Sequence, residues 1–195
     1  MPPPPVIADV SETLRSVITA GLSGLFPGPP VAVVTNLQTA PGTNPPVLAI
    51  FLYDVIEDPS ARNRPAARRR TPPDVEILKP PMALLLRYML TPFSPDARTD
   101  QQILGQVMQT LYDGAILSGP QLAGSSLKNT AEALKITLTT ISLYDRALVW
   151  QAFAQPFRVS LAYEVRVVNL DSTVSQHVRP VSERDVDSTL PESTT

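Results

Sequence analysis

The chain has 195 residues, of which 43% are apolar and only 17% charged, with a formal net charge of −2 and no cysteine. That length fits one domain with enough apolar residues for a core. The missing cysteines exclude disulfides, thiolate metal sites and cysteine nucleophiles, and the charge balance argues against a whole-protein nucleic-acid binder.

Residues 1–6 open with four prolines, an extended lead-in that no helix can use. No basic stretch is followed by an apolar run, so a secretory leader is not expected and synthesis is placed in the cytoplasm. Val10, Leu14, Val17, Ile18, Leu22 and Leu25 recur at helical spacing and predict an amphipathic helix over 7–24, capped near Asp9 or Ser11. FPGPP ends it, VAVVTNL (31–37) reads as a strand, and VLAIFLYDVIE (47–57) reads as a strand buried on both faces. Residues 58–81 carry six prolines and five arginines (Arg62, Arg64, Arg68, Arg69 and Arg70) with no apolar period, so a long exposed loop is expected.

MALLLRYMLTPF (82–93) predicts a third strand; its apolar run is too short for a membrane span and is interrupted by Arg87. Residues 97–114 predict a second helix, with Ile103, Leu104, Val107, Met108 and Leu111 on its core face and Gly114 as its stop. A loop over 114–131 leads to a half-buried strand, 132–141. SLYDRALVWQAF (142–153) predicts a short helix with a capping box from Ser142 to Asp145. In the last strand, 156–172, Phe157, Val159, Leu161, Tyr163, Val165 and Val167 are expected on the core face. Arg158, Ser160, Ala162, Glu164 and Arg166 are expected on a polar face. Residues 173–195 are polar and acidic and are expected to be disordered unless docked. The order α-β-β-β-α-β-α-β gives an α/β or α+β domain over 7–172: a mixed, largely antiparallel sheet of about five strands flanked by helices.

Chemistry is sparse. The lone histidine, His177, falls past the last predicted strand, where exposure to solvent is its ordinary state, and no phosphate loop, dinucleotide motif or nucleophile elbow is present. Carboxylates are available for acid–base work in Asp54, Glu57, Asp58, Asp113, Asp145 and Glu164, and the first three cluster at a strand end. The neighbouring arginines offer them a structural pairing instead. Tyr53, Tyr88, Phe157 and Tyr163 alternate with aliphatics inside strands, as core residues rather than base-stacking platforms. Trp150 either packs in the core or anchors a neighbour. Two features favour assembly: the long loops, and the polar face of Arg158, Glu164 and Arg166.

Five stretches in order then resemble a known family. They are IADVSETLRSVI, IFLYDVIEDPSARN, LLLRYMLTPFSPD, QQILGQVMQTLYDGAIL and LVWQAFAQPFRVSLAYEVRVVNLDS, spread over about residues 7–172. They are similar to the N-terminal domain of the tail-terminator, or cap, proteins of contractile injection systems of the anti-feeding-prophage and virulence-cassette type. Met89 and Arg87 depart from the family's usual Leu and His.

The resemblance implies a structural subunit without cofactor or turnover. It implies a homo-hexameric ring on the distal end of the inner tube, contacting tube and sheath proteins and fixing particle length. It implies assembly in the cytoplasm and residence in the injection particle, with neither a membrane nor nucleic acid as partner. Arg62, Asn63, Arg64, Arg68, Arg69 and Arg70 become candidates for contact with acidic tube or sheath surfaces or with cargo, beside Arg158, Glu164, Arg166 and Trp150. Two alternatives remain open: a phage tail-completion or head–tail joining protein, and a small enzyme built on Asp54 and Glu57.

Overall fold

The computed structural model describes residues 5–26, 28–38, 41–63, 65–71, 74–170 and 175–178. The chain divides into a larger unit, Met1–Asn63 with Pro81–Leu170, and a smaller one, Arg64–Pro80 with Asp171–Thr195. In chain order the helices are α1 (Val6–Leu22), α2 (Ala97–Asp113) and α3 (Leu143–Ala152). The strands are β1 (Val31–Val34), β2 (Val47–Glu57), β3 (Ala67–Thr71), β4 (Asp74–Leu78), β5 (Met82–Phe93), β6 (Ile116–Ser118), β7 (Ala133–Leu138), β8 (Leu161–Leu170) and β9 (Ser175–Val178).

The larger unit is built on a six-stranded sheet in the order β1-β2-β5-β8-β7-β6. Only β1 and β2 run parallel; every other pairing is antiparallel. The fold is α+β, as the sequence predicts, with one strand more than expected in this sheet.

Alternation along the central strand β5 sends its residues to two different cores. Leu84, Leu86, Tyr88 and Leu90 join the main core with Val10, Leu14, Ile18 and Leu22 of α1 and Ile103, Val107 and Leu111 of α2. Met89 and Phe93 point the other way and pack with Ala49, Phe51, Leu37 and Trp150 of α3. So α1 and α2 cover one face of the sheet, and α3 covers part of the other. Helix α1 brings an apolar residue inward at every fourth position from Val6 to Leu22, the spacing of one helical face. Gly21 lets α1 meet α2 closely, since a Cβ there would fall 2.3 Å from Thr110 Oγ1.

Polar staples fix what the apolar pattern leaves loose. Asp9, buried on α1, accepts from Ser126 N at 2.7 Å and from Ser126 Oγ at 2.6 Å. Thr13 Oγ1 accepts from Ala123 N at 2.9 Å. The segment after α2 is therefore pinned to α1, and it contributes Leu122 and Leu127 to the main core. It is not the plain loop expected over 114–131, since it carries β6 and a 3-10 turn at Gly119–Gln121.

In the smaller unit, β3, β4 and β9 form an antiparallel sheet in that order. The arginine stretch is thus largely a strand, contrary to the expected loop: Ala67–Thr71 has no apolar period, but its backbone pairs with Asp74–Leu78. His177 is likewise not past the last strand, because it lies in β9 opposite Glu76. Ser175–Val178 of the expected disordered tail thus form a strand; the tail's remaining residues, and Pro2 to Pro4 of the lead-in, lie outside the described residues.

The last long strand also begins later than expected. Residues 156–160 precede β8, leaving Phe157 45% and Val159 64% exposed rather than in the core. Ala162 and Ser160, expected on the polar face, are buried. Ser160 shares a 2.8 Å hydroxyl contact with Thr91, and Ala162 sits opposite the buried Met89.

Candidate functional site

Beyond α3, the sheet face that carries the second core turns from apolar to charged. Asp54, Arg87 and Glu164 stand in register on three adjacent strands, β2, β5 and β8. Arg87 Nη1 donates to Asp54 Oδ2 at 3.1 Å, and Arg87 Nε donates to Glu164 Oε1 at 3.1 Å. Burial alone would pull the Arg87 guanidinium down, but its hydrogen bonds and charge attraction to Glu164 and Asp54 outweigh that and hold it raised. Tyr53 and Val149 close one side of this row. Together with Thr139 to Ser142 and Asp145 they make a cleft of about 300 Å³ over Arg87 and Glu164. Desolvation raises the Tyr53 phenol, with Arg87 pulling it back.

At the end of β2, Arg62 Nε donates to Glu57 Oε2 at 3.1 Å, and Arg166 Nε lies 3.9 Å from Asp58 Oδ2. Asp58 also caps the 3-10 turn Pro59–Ala61 by accepting from Ser60 N at 2.9 Å. Asp54 and Glu57, the carboxylates that an acid–base reading would use, each accept from an arginine. Among the described residues no group of three metal-ligating side chains comes together, and no helix is long and apolar enough to cross a membrane.

The residues singled out from sequence therefore separate. Glu164 and Arg166 share the charged face, each already paired within the chain. Arg158 leaves it and lies with its guanidinium 4.5 Å from the Phe93 ring centroid, a cation–π contact. Trp150 is 2% exposed and packs in the second core. Arg62 and Asn63 are exposed in the larger unit, whereas Arg68, Arg69 and Arg70 are exposed on β3 of the smaller one. Among the described residues, no ion pair engages those three β3 arginines. Arg64 lies outside the described residues.

Two apolar surfaces escape sequence reading. Between α2 and β7 runs a groove of about 570 Å³ lined by Met108, Leu111, Tyr112, Ile136, Leu138 and Tyr163 among others, none of them charged. Met108, expected in the core, is 41% exposed at this groove, and Tyr112 is 84% exposed beside it. On the opposite side of the sheet, α3 holds out Leu143, Tyr144 and Leu148, exposed by 71%, 72% and 43%. A spacing of four, Met108 to Tyr112 and Tyr144 to Leu148, is the trace of both in the sequence.

Residues 9–184 match the family described as the Pvc16 N-terminal domain. No curated protein matches the chain. Among solved structures, it is similar to the sheath/tube terminator of PVC, an extracellular contractile injection system, in its extended state. The TM-score is 0.63 at 22% identity, over 97% of this chain and 64% of that one. It is also similar to the tube-terminating cap of the anti-feeding prophage, with a TM-score of 0.58 at 19% identity, over 93% of this chain and 59% of that one. The chain spans less than two thirds of the length of either, and at such identities the likeness is one of fold. Matched along most of its length, the chain belongs to the Pvc16 N-terminal domain family.

Proposed function

We propose that the chain is the cap, or terminator, of the tube and sheath of a phage-tail-like contractile injection system, a structural subunit rather than an enzyme. The observation that carries this reading is the family match over 9–184, joined to a fold shared with two terminators of such systems. In this reading six copies close a ring on the distal end of the inner tube. The ring stops growth of tube and sheath and thereby sets particle length. Its partners are further copies of the chain, the inner tube protein and the sheath protein. Assembly takes place in the cytoplasm, and the ring leaves with the particle.

Physical features support the role. Charged residues are only 17% of the chain, low for a surface meant for water alone. Arg68, Arg69 and Arg70 stand exposed on β3, an edge strand, and suit contact with acidic tube or sheath surfaces, with Arg62 and Asn63 as further candidates. The alternative of acid–base catalysis loses its groups to Arg87 and Arg62.

Electron microscopy of particles from cells lacking the gene tests the reading. Overlong, ragged or unsheathed tubes are expected; uniform particles of normal length overturn it. Replacing Arg62, Arg64, Arg68, Arg69 and Arg70 with Ser is expected to abolish capping, and normal particles from that variant would remove the arginines from docking.

A further inference from the structure

We propose that neighbouring copies join by seating the outer face of α3 of one chain in the α2–β7 groove of the next. This inference rests on the cap reading for the number of copies, but its surfaces come from the geometry.

A contact that closes a ring is heterologous: each copy must present two different, complementary patches. The larger unit has such a pair, on opposite faces of one sheet. The donor patch is Leu143, Tyr144 and Leu148, with Ala147 exposed between them on the same side of α3. The acceptor is the groove of about 570 Å³ between Met108, Tyr112 and Leu138. No charged side chain lines the groove, and none interrupts the outer side of α3. Asp145, the nearest acid, is occupied in capping its own helix with Ser142 at 2.7 Å.

Area favours the same answer. An aromatic residue buries ~150–250 Å², so Tyr112 on the groove side and Tyr144 on the α3 side each supply about a quarter of the ~800 Å² per partner of a standard interface, with their apolar neighbours adding to it. Residues 179–195 of the chain are a poor fit to the groove, with four acids and two arginines among them. A second copy, carrying a helix that is apolar on its outer side and rigidly held by Trp150, is the occupant that fits.

The chain's lack of cysteine makes the test clean. Tyr112→Cys and Tyr144→Cys are introduced singly and together in cells producing the complete particle, and a short bismaleimide is added. Both side chains are largely exposed, so folding is not at stake. The double variant is expected to give a ladder of covalent oligomers beyond the dimer, and each single variant no product. A dimer from either single variant means that like meets like and overturns the inference, as does a double variant that stays monomeric. The second arm mixes Tyr144→Asp/Leu148→Asp with Met108→Asp. Each alone should fail to assemble, and together they should stop at a one-to-one dimer; any other stoichiometry overturns the pairing. A ladder with unchanged tube length in the gene deletion would refute the cap and keep the interface, whereas overlong tubes without a ladder would do the reverse.

Discussion

Replacing Asp9 by Ala tests how the segment after α2 is held. The carboxylate accepts two hydrogen bonds from Ser126, at 2.7 and 2.6 Å, on the same oxygen. Hydrogen bonds to charged groups contribute about 1.5–3 kcal/mol each. Ser126 is only half-buried, so water can take over part of its bonding, and the low end applies: a loss of about 3 kcal/mol. Asp9→Asn keeps an acceptor but not the charge, which roughly halves each bond, for a loss of about 1.5 kcal/mol. Trp150, the single tryptophan, lies in the core of the same unit. Its fluorescence during urea unfolding therefore reads the cost, with an unchanged denaturant slope. Hydrogen exchange at the Ser126 and Ala123 amides should quicken in parallel. An Asp9→Ala loss below ~1 kcal/mol, or an Asn variant as damaged as the Ala variant, would refute the staple.

Gly124 belongs to the same staple. Its φ is +85°, and a Cβ there would lie 2.0 Å from Asp9 Cγ. Gly124→Ala should cost more than ~2 kcal/mol, falling toward the ~1 kcal/mol of the left-handed backbone alone when Asp9 is also Ala; additive losses would contradict this. Burial pushes the Tyr88 phenol from 10.0 up to about 12, with its Ser11 hydrogen bond pulling the other way. Below pH 10 the hydroxyl is protonated in both states and its contribution is complete. Between 10 and 12 the unfolded chain ionises first, so up to about 2.7 kcal/mol is lost as pH rises. Tyr88→Phe should flatten that alkaline decline in urea titrations; an unchanged decline assigns it elsewhere. Trp150→Ala should lose about 3–5 kcal/mol by thermal or urea unfolding followed by circular dichroism. A stable but non-assembling variant would instead make Trp150 a neighbour's anchor.

The main elements follow from the sequence because one residue type repeats at one period. Val47–Glu57 and Met82–Phe93 are long apolar runs, and α1 and α2 carry apolar residues at helical spacing, so these elements show without reference to a partner; β2, expected to be buried on both faces, is buried only over Leu48–Phe51, and its Val55 is 41% exposed. Elements without that repeat stayed hidden. The β3 strand is arginine-rich and forms through backbone bonds to β4, which no side-chain period records. Where Phe157 and Val159 sit depends on where β8 begins beside β5, a matter of register between strands about seventy residues apart in the chain. The fates of the polar candidates were decided the same way. Glu164 meets Arg87, and Asp58 meets Arg166, only because β2, β5 and β8 are adjacent. Whether Met108 belongs to the core or to an open groove depends on neighbours distant in sequence: it lines a groove with Ile136 and Leu138 of β7 and is 41% exposed. Composition, period and motif order determined the fold class and the family resemblance; three-dimensional adjacency decided which side chains are already paired and which apolar surfaces still lack a partner, because pairing and exposure are properties of neighbours distant in sequence.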